Sequence, residues 1–467
     1  MKNLNNMKND NKPVPKNSLI CGKNVYFSRD CHATWNNNNV LVVGTSGCGK
    51  TRCVVEPALL QADSSYVVSD PKGVLHKQYA PFLESLGYRV VKMDFIHPEK
   101  SAHYNPIQYC KTSQDILKLA YCLTYSLDKG SNTYDPFWDE TASILFSAVI
   151  GYLVENEHIP DEEKNIESII RTITMMHREP GKNGFGYTEF AKKMDIHNKW
   201  MKMKYGKESW AYRRYHELET APDKTYGTIL LTSLAKLAFF DTEEINEMLR
   251  CNDINFETIG IEKTAIFVEV SDSERSMDAL VNLFYSQMIN RLCTFADDEC
   301  KHNRLPVPVQ FILDDFATNT HIDNFDKIIS NIRSRNISAM VMVQSEEQLE
   351  QGYGEYGGRT IANNCSTYIY LGGTHPVLAA QVGPRMNQEL YTVLTMPTNM
   401  CYIFRRGKEP FYCEHFDLEW FKKQVGFEEE KPSVKMSKTE RKKKADSNDN
   451  IKNKKEEPTM KDVELIK

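Results

Sequence analysis

Residues 40–51 read VLVVGTSGCGKT, and the stretch TRCVVEPALLQA runs on from the last threonine. An apolar, β-branched run therefore enters a G-x-x-x-x-G-K-T loop, and a helical pattern leaves it. No other feature limits the fold as strongly. Backbone N–H groups can curl around a phosphate only where a buried strand delivers the loop and a helix N-terminus backs it. Strand, loop and helix in that order form half of a βαβ unit, so the chain needs a parallel α/β sheet. The loop comprises Gly44, Thr45, Ser46, Gly47, Cys48, Gly49, Lys50 and Thr51. In it Lys50 bridges β- and γ-phosphates and the Thr51 hydroxyl ligates Mg²⁺, which marks binding of ATP or GTP. Cys48 puts a thiol inside the loop, where a thiol reagent would block the site. Pro57, about two turns into the helix, predicts a bend.

The rest of the chain supplies the sheet. Short β-rich runs (NVLVVG, SYVVSD, YRVVKMD) alternate with helical stretches over about 38–110. Between 111 and 250 only helical periodicity is found, as in SQDILKLAYCLTYSL, DETASILFSAVIGYLVENE and IESIIRTITMMH. Strands return from about 262 with KTAIFVEV, PVQFILDD, ISAMVMVQ, STYIYLGG and MCYIFRRG. This pattern reads as one α/β nucleotide-binding domain (21–110 and 251–427) carrying an all-α insertion (111–250). The polar ends, 1–20 and 428–467, read as disordered. The basic knot Arg441 to Lys444 is either a contact for nucleic acid or acidic lipid, or part of a solvated tail.

Composition narrows the setting. A net charge of −5 across 467 residues gives no global positive field. Any nucleic-acid contact has to be local. Twelve cysteines without a C-x-x-C pair suit a reduced, cytoplasmic environment, with Cys122, Cys293 and Cys401 as core residues. The absence of a long apolar run predicts no membrane-crossing helix.

VQFILDDFATN is an apolar strand ending in two carboxylates. In phosphate-loop motors the first of such a pair, here Asp314, holds Mg²⁺, and the second, here Asp315, acts as general base on the attacking water. Downstream, Arg333 and Arg335 precede a strand that ends at Gln344. Arg333 is either a finger reaching a neighbouring subunit's nucleotide or a surface arginine. Gln344 is either a γ-phosphate sensor or a loop cap.

The ordered set of phosphate loop, SDPKG (69–73), YNPI (104–107), DPFWDETASILF (135–146), acidic strand, IRSRNIS…QS and FRRGKEP (404–410) resembles the TraG/TraD-type coupling ATPases of bacterial conjugation and type IV secretion. The resemblance covers about 21–420. It implies a RecA-like motor domain with a central, mostly parallel sheet and an all-α domain, assembled as a homo-hexamer. It also implies ATP and Mg²⁺ as ligands. Partners would be the relaxase with its single-stranded DNA and the secretion-channel components. Lys50 and Thr51 then carry phosphate and Mg²⁺, Asp314 and Asp315 keep their roles, Arg333 is the trans-acting finger with Arg335 in reserve, and Gln344 is the sensor. Asp70 and Lys72 of the SDPKG corner would report nucleotide state.

Two departures stand out. Family members usually begin with transmembrane helices, so this chain is either an anchor-less form needing a separate membrane-anchoring partner or a truncated copy. It is expected in the bacterial cytoplasm at the inner face of the membrane. An Asp-Asp pair also replaces the usual Asp-Glu. Two other functions compete with the coupling motor: a double-stranded DNA pump of the FtsK/HerA type, and a platform that binds ATP without turnover and docks substrate protein on its insertion. On that insertion, Trp138, Trp200 and Trp210 are either partner contacts or packing aromatics. Lys199, Lys202, Lys204 and Lys207 are either a nucleic-acid surface or a solvated helix face.

Overall fold

Alternate residues of the central strands face two different cores, and this organises the molecule. Val40 and Val42 point into one core, while Leu41 and Val43 point into the other. The same alternation sends Tyr66, Val68, Ala265 and Phe267 one way, and Val67, Ile266 and Val268 the other. Strands buried on both faces belong to a parallel sheet covered by helices on each side. Burying each large apolar side chain contributes about 1.5–3 kcal/mol, and a one-residue slip would exchange every residue between the cores, so the register is fixed.

The computed structural model describes residues 11–125, 136–177, 188–271, 275–316 and 321–428. Asp135, which heads the FW block, and the Arg441–Lys444 knot lie outside the described residues. Eleven strands occur among those described: β1 Ser18–Gly22, β2 Val25–Ser28, β3 Val40–Val43, β4 Ser65–Ser69, β5 Arg89–Asp94, β6 Thr264–Glu269, β7 Val309–Leu313, β8 Ile337–Val343, β9 Thr367–Tyr370, β10 Met400–Arg405 and β11 Phe411–Glu414. Nine make one sheet in the order β11-β10-β9-β3-β8-β7-β4-β6-β5. Its strands are parallel except for β10, which runs antiparallel to both β9 and β11.

β1 and β2 form a separate antiparallel hairpin. For residues 11–20 this corrects the reading of disorder. All five residues of β1 are buried, and Asn11 already donates to the Asp417 carboxylate at 2.8 Å. The apolar SLIC covers the same core as Cys401 and Ile403, a long-range contact that the Asn/Lys-rich sequence before it conceals. β11 was also missed, because FYCE is short and pairs only with β10. After the phosphate loop, the Pro57 bend takes a specific form. Proline cannot donate to the Cys53 carbonyl, and the turn before it widens, so Thr51–Val55 is π-helical and Glu56–Gln61 continues as α-helix.

The described residues between β5 and β6 contain helices and no strand. β5 is the sheet's edge strand and β6 its neighbour, so the helical region leaves and returns at the margin without breaking the ladder. At its centre is Pro136–Glu155, with Ala142, Leu145, Phe146, Val149 and Ile150 fully buried. By length and composition this helix could cross a membrane, but 61% of its apolar window is buried against protein. A Cβ on Gly151 would meet the Trp210 ring at 3.1 Å, which makes Trp210 a packing residue between two helices. In the lysine-rich segment, Lys202 pairs with Glu208 at 3.0 Å and Lys204 pairs with Glu157.

The chain's exit and return are stitched together at YNPI. Asn105 is fully buried. Its amide donates to the carbonyls of Lys164 and Arg250 at 2.8 and 3.2 Å, and its oxygen caps the turn Pro106–Tyr109 through the Ile107 N–H. The Asn105 N–H donates to Asn252 at 2.7 Å. Asn105→Ala should lower unfolding free energy by about 1–3 kcal/mol, because the buried Ile107 N–H and two part-buried carbonyls lose their partner. Urea denaturation checks this, and Asn105→Asp should restore only the cap.

Candidate nucleotide site

Because β3, β8, β7 and β4 are parallel neighbours, their carboxyl ends bring the sequence motifs together along one edge. β3 feeds the glycine loop. Gly44 donates to the Val343 carbonyl at 3.2 Å and Thr45 to that of Gly372 at 3.3 Å, which ties the loop to both adjoining strands. Gly47 and Gly49 hold φ of +80° and +91°, a region that side chains disfavour, and their N–H groups have no acceptor among the described residues. Gly44 is needed for space, since a Cβ there would meet the Cys48 sulfur at 2.5 Å and Leu371 Cβ at 3.2 Å.

The functional side chains converge on that loop. Lys50, only 8% exposed, donates to the Gly44 carbonyl at 2.9 Å and lies 3.8 Å from Asp315 Oδ1. The Thr51 hydroxyl donates to Asp314 Oδ2 at 3.0 Å. Burial raises the Asp314 carboxyl above its ordinary range, and the Asp315 charge adds to the rise against the opposing Thr51 bond and Lys50. Asp315 takes φ +45°, a left-handed conformation rare outside glycine and asparagine, and its N–H donates to Asp314 Oδ1 at 3.0 Å. Two neighbouring oxygen donors with an under-compensated carboxylate suit a small hard cation, which needs only one or two protein ligands. Burial raises the Cys48 thiol, with Lys50 opposing, so it remains a thiol at neutral pH.

Gln344 directly follows β8, between the loop and Asp314. Its N–H donates to Gln348 at 2.8 Å while its side chain is exposed and without a partner among the described residues. The two arginines are elsewhere. The turn Ile332–Arg335 precedes β8, at the sheet's amino edge. Arg333 donates to the Cys31 carbonyl at 2.7 Å, and Arg335 closes on the Asp297 carboxylate at 2.6 and 3.0 Å.

The SDPKG corner has a structural explanation. Asp70, 2% exposed, accepts the N–H groups of Val74 and His76 at 3.1 and 2.8 Å and so caps helix Val74–Ser85. Gly73 has φ +60°, and a Cβ there would meet Glu269 Oε1 at 2.5 Å. Lys72 is exposed.

Sequence reading missed a cleft of about 390 Å³ beside the loop, lined by Gly47, Gly49, Arg52, His415, Phe416 and Leu418 among others. Its far wall follows β11, and no motif marks that segment.

A doubly covered parallel sheet with this loop and acidic strand end defines a P-loop nucleotide-binding protein. The chain belongs to the type IV secretory system conjugative DNA transfer family, whose model matches residues 2–376. Its fold is similar to that of the bacterial conjugative coupling protein TrwBdeltaN70 in an unbound form, with TM-score 0.57 and 12% identity over 87% of this chain and 90% of that one. The plasmid coupling protein TrwB in complex with ADP and Mg²⁺ gives TM-score 0.56 and 12% identity over 90% and 94%. VirB4 of Thermoanaerobacter pseudethanolicus gives 0.53 and 12% over 88% and 100%. These likenesses place the chain in the RecA-like fold. No curated protein sequence matches it.

Because Asp314 binds its proton more tightly when folded than when unfolded, its charge costs stability. The cost is absent below the ordinary carboxylate pKa and grows as pH rises through the raised value. Asp314→Asn should therefore raise the melting temperature of the nucleotide-free protein at pH 7 by a few degrees and leave it unchanged near pH 3, measured by scanning calorimetry.

Proposed function

We propose that this chain is the ATP-hydrolysing coupling protein of a conjugative type IV secretion system. It recruits the relaxase–single-stranded DNA complex and drives it to the secretion channel. The observation that carries this reading is the convergence of Lys50, Thr51, Asp314 and Asp315 on one glycine loop in a chain of the conjugative DNA transfer family.

In this reading the loop N–H groups of Gly47 and Gly49 receive the phosphates, and Lys50 exchanges the Gly44 carbonyl for phosphate oxygens. The purine base takes the cleft against Phe416. Thr51 and Asp314 would hold Mg²⁺, which when bound neutralises charge on the phosphates. Asp315 accepts a proton from the attacking water. Its left-handed backbone turns the short side chain toward Lys50, within 3.8 Å, compensating for the reach that glutamate would have. Gln344 senses the γ-phosphate from its place between loop and acidic strand. Arg333 acts on a neighbouring subunit's ATP in a hexamer, which requires release from the Cys31 carbonyl. The motor works in the bacterial cytoplasm at the inner face of the membrane, beside the channel.

Steady-state ATPase assays with single- or double-stranded DNA test this. Turnover should rise with single strands and fall about 100-fold or more in Lys50→Ala. Arg333→Ala should lose turnover at assembling concentrations while retaining nucleotide affinity. Stimulation by duplex alone would make the chain a double-stranded DNA pump, and tight nucleotide binding without turnover would make it a docking platform.

A further inference from the structure

A groove of about 770 Å³ runs between helix Ser113–Tyr125, which opens the helical region, and helix Asp278–Glu299, which follows β6. Its third wall, Asp323, Asn324 and Ile328, comes from the chain that follows Asp315. None of these residues belongs to the nucleotide site.

The first helix carries an aromatic stripe on its open side. Leu117, Tyr121 and Tyr125 recur every fourth residue and so share a face. Tyr121 is 58% exposed, and its ring lies 4.4 Å from that of Tyr125. Beside the stripe, Lys111, two residues before the helix, and Lys118, on it, both line the groove. Both are exposed, and neither has a carboxylate partner among the described residues. Carboxylates in the groove are otherwise engaged. Asp115 accepts from the N–H groups of Lys111 and Thr112 at 3.3 and 3.0 Å, and Asp323 lies 3.5 Å from His321. Arg291 is held by Glu257. The facing helix presents uncharged polar groups, among them Asn290 and Thr294, both exposed.

An exposed aromatic stripe, two exposed cations and a facing row of amide and hydroxyl groups suit bases that stack, phosphates that follow the lysines, and base edges that hydrogen-bond without a fixed sequence. A protein partner would favour aliphatic side chains at the rim, where Leu117 is the exposed example. Building on the coupling-motor reading, we infer that this groove binds single-stranded DNA. Tyr121 is the stacking platform, and Lys111 and Lys118 are the phosphate contacts. The third wall puts the bound strand on the chain segment that continues from the acidic strand end.

The test uses the full chain and a fluorescein-labelled oligothymidylate followed by anisotropy across a salt series. Tyr121→Ala should weaken binding about tenfold, and Tyr121→Phe should retain it. Lys111→Gln with Lys118→Gln should reduce the slope of log affinity against log salt by about 1.4. A bromodeoxyuridine-substituted strand should crosslink to the peptide containing Tyr121. These side chains are exposed, so thermal melts should match wild type. If the variants bind like wild type, the groove is not the path, although the chain still binds DNA. If they keep DNA affinity but sediment as a smaller species, the groove is an interface between copies, and the inference is overturned. If the wild-type chain binds no single strand at all, both the groove and the coupling-motor reading are overturned.

Discussion

A loop that must offer bare N–H groups to a phosphate cannot hold itself in place. Here the phosphate loop is held by β3, whose four residues are all buried, and by hydrogen bonds from Gly44 and Thr45 to the strands on either side. β8 lies between β3 and β7, so its spacing sets the separation of Thr51 from Asp314 at hydrogen-bond distance. The helices over both faces keep these strands dry. The position of every motif residue at the carboxyl edge therefore depends on this burial.

The same edge separates structural carboxylates from those available to a ligand. Asp94 is fully buried, yet the Lys92 ammonium and the N–H groups of Ile96 and His97 offset the upward push of burial and bring it below its ordinary range. Asp70 is occupied with a helix N-terminus. Asp314 has a hydroxyl and one N–H, with a second carboxylate next to it, and its pKa rises. In a row of buried acids, a shortage of compensation beside a phosphate loop sets apart the carboxylate whose chemistry suits a cation. Glu269 is also raised, by burial and then by Asp94. It faces Gly73 and Lys92 rather than the loop, so its charge stays within the structure.

The site and the fold were legible to different degrees. The glycine loop and DD strand could be read because each is local: spacing along a few residues determines the chemistry. The central strands β3, β4, β6 and β7 were legible because they are buried on both faces and appear as largely apolar runs. β1 and β2 form a short hairpin after a polar start, β1 buried and β2 only partly so, and their stabilising contact is with β10 and β11, several hundred residues away in sequence. The SDPKG corner could be recognised but not explained, since its glycine is required by Glu269, a residue supplied after the helical region.

What could not be read in the sequence shares one property. Asn105 closes against Arg250 and Asn252, Arg333 against Cys31, Arg335 against Asp297, and the cleft wall at Phe416 against the phosphate loop. Each partner pair is set by topology and none by spacing. This matters most for the arginines. On sequence alone Arg333 and Arg335 differ only in order, but the structure separates them chemically. Arg335 would have to give up a bidentate carboxylate, whereas Arg333 gives up a single hydrogen bond to a neutral carbonyl. Charge-assisted bidentate pairs are roughly twice as strong per bond as neutral ones, so Arg333 is the arginine with the lower cost of turning toward a neighbour.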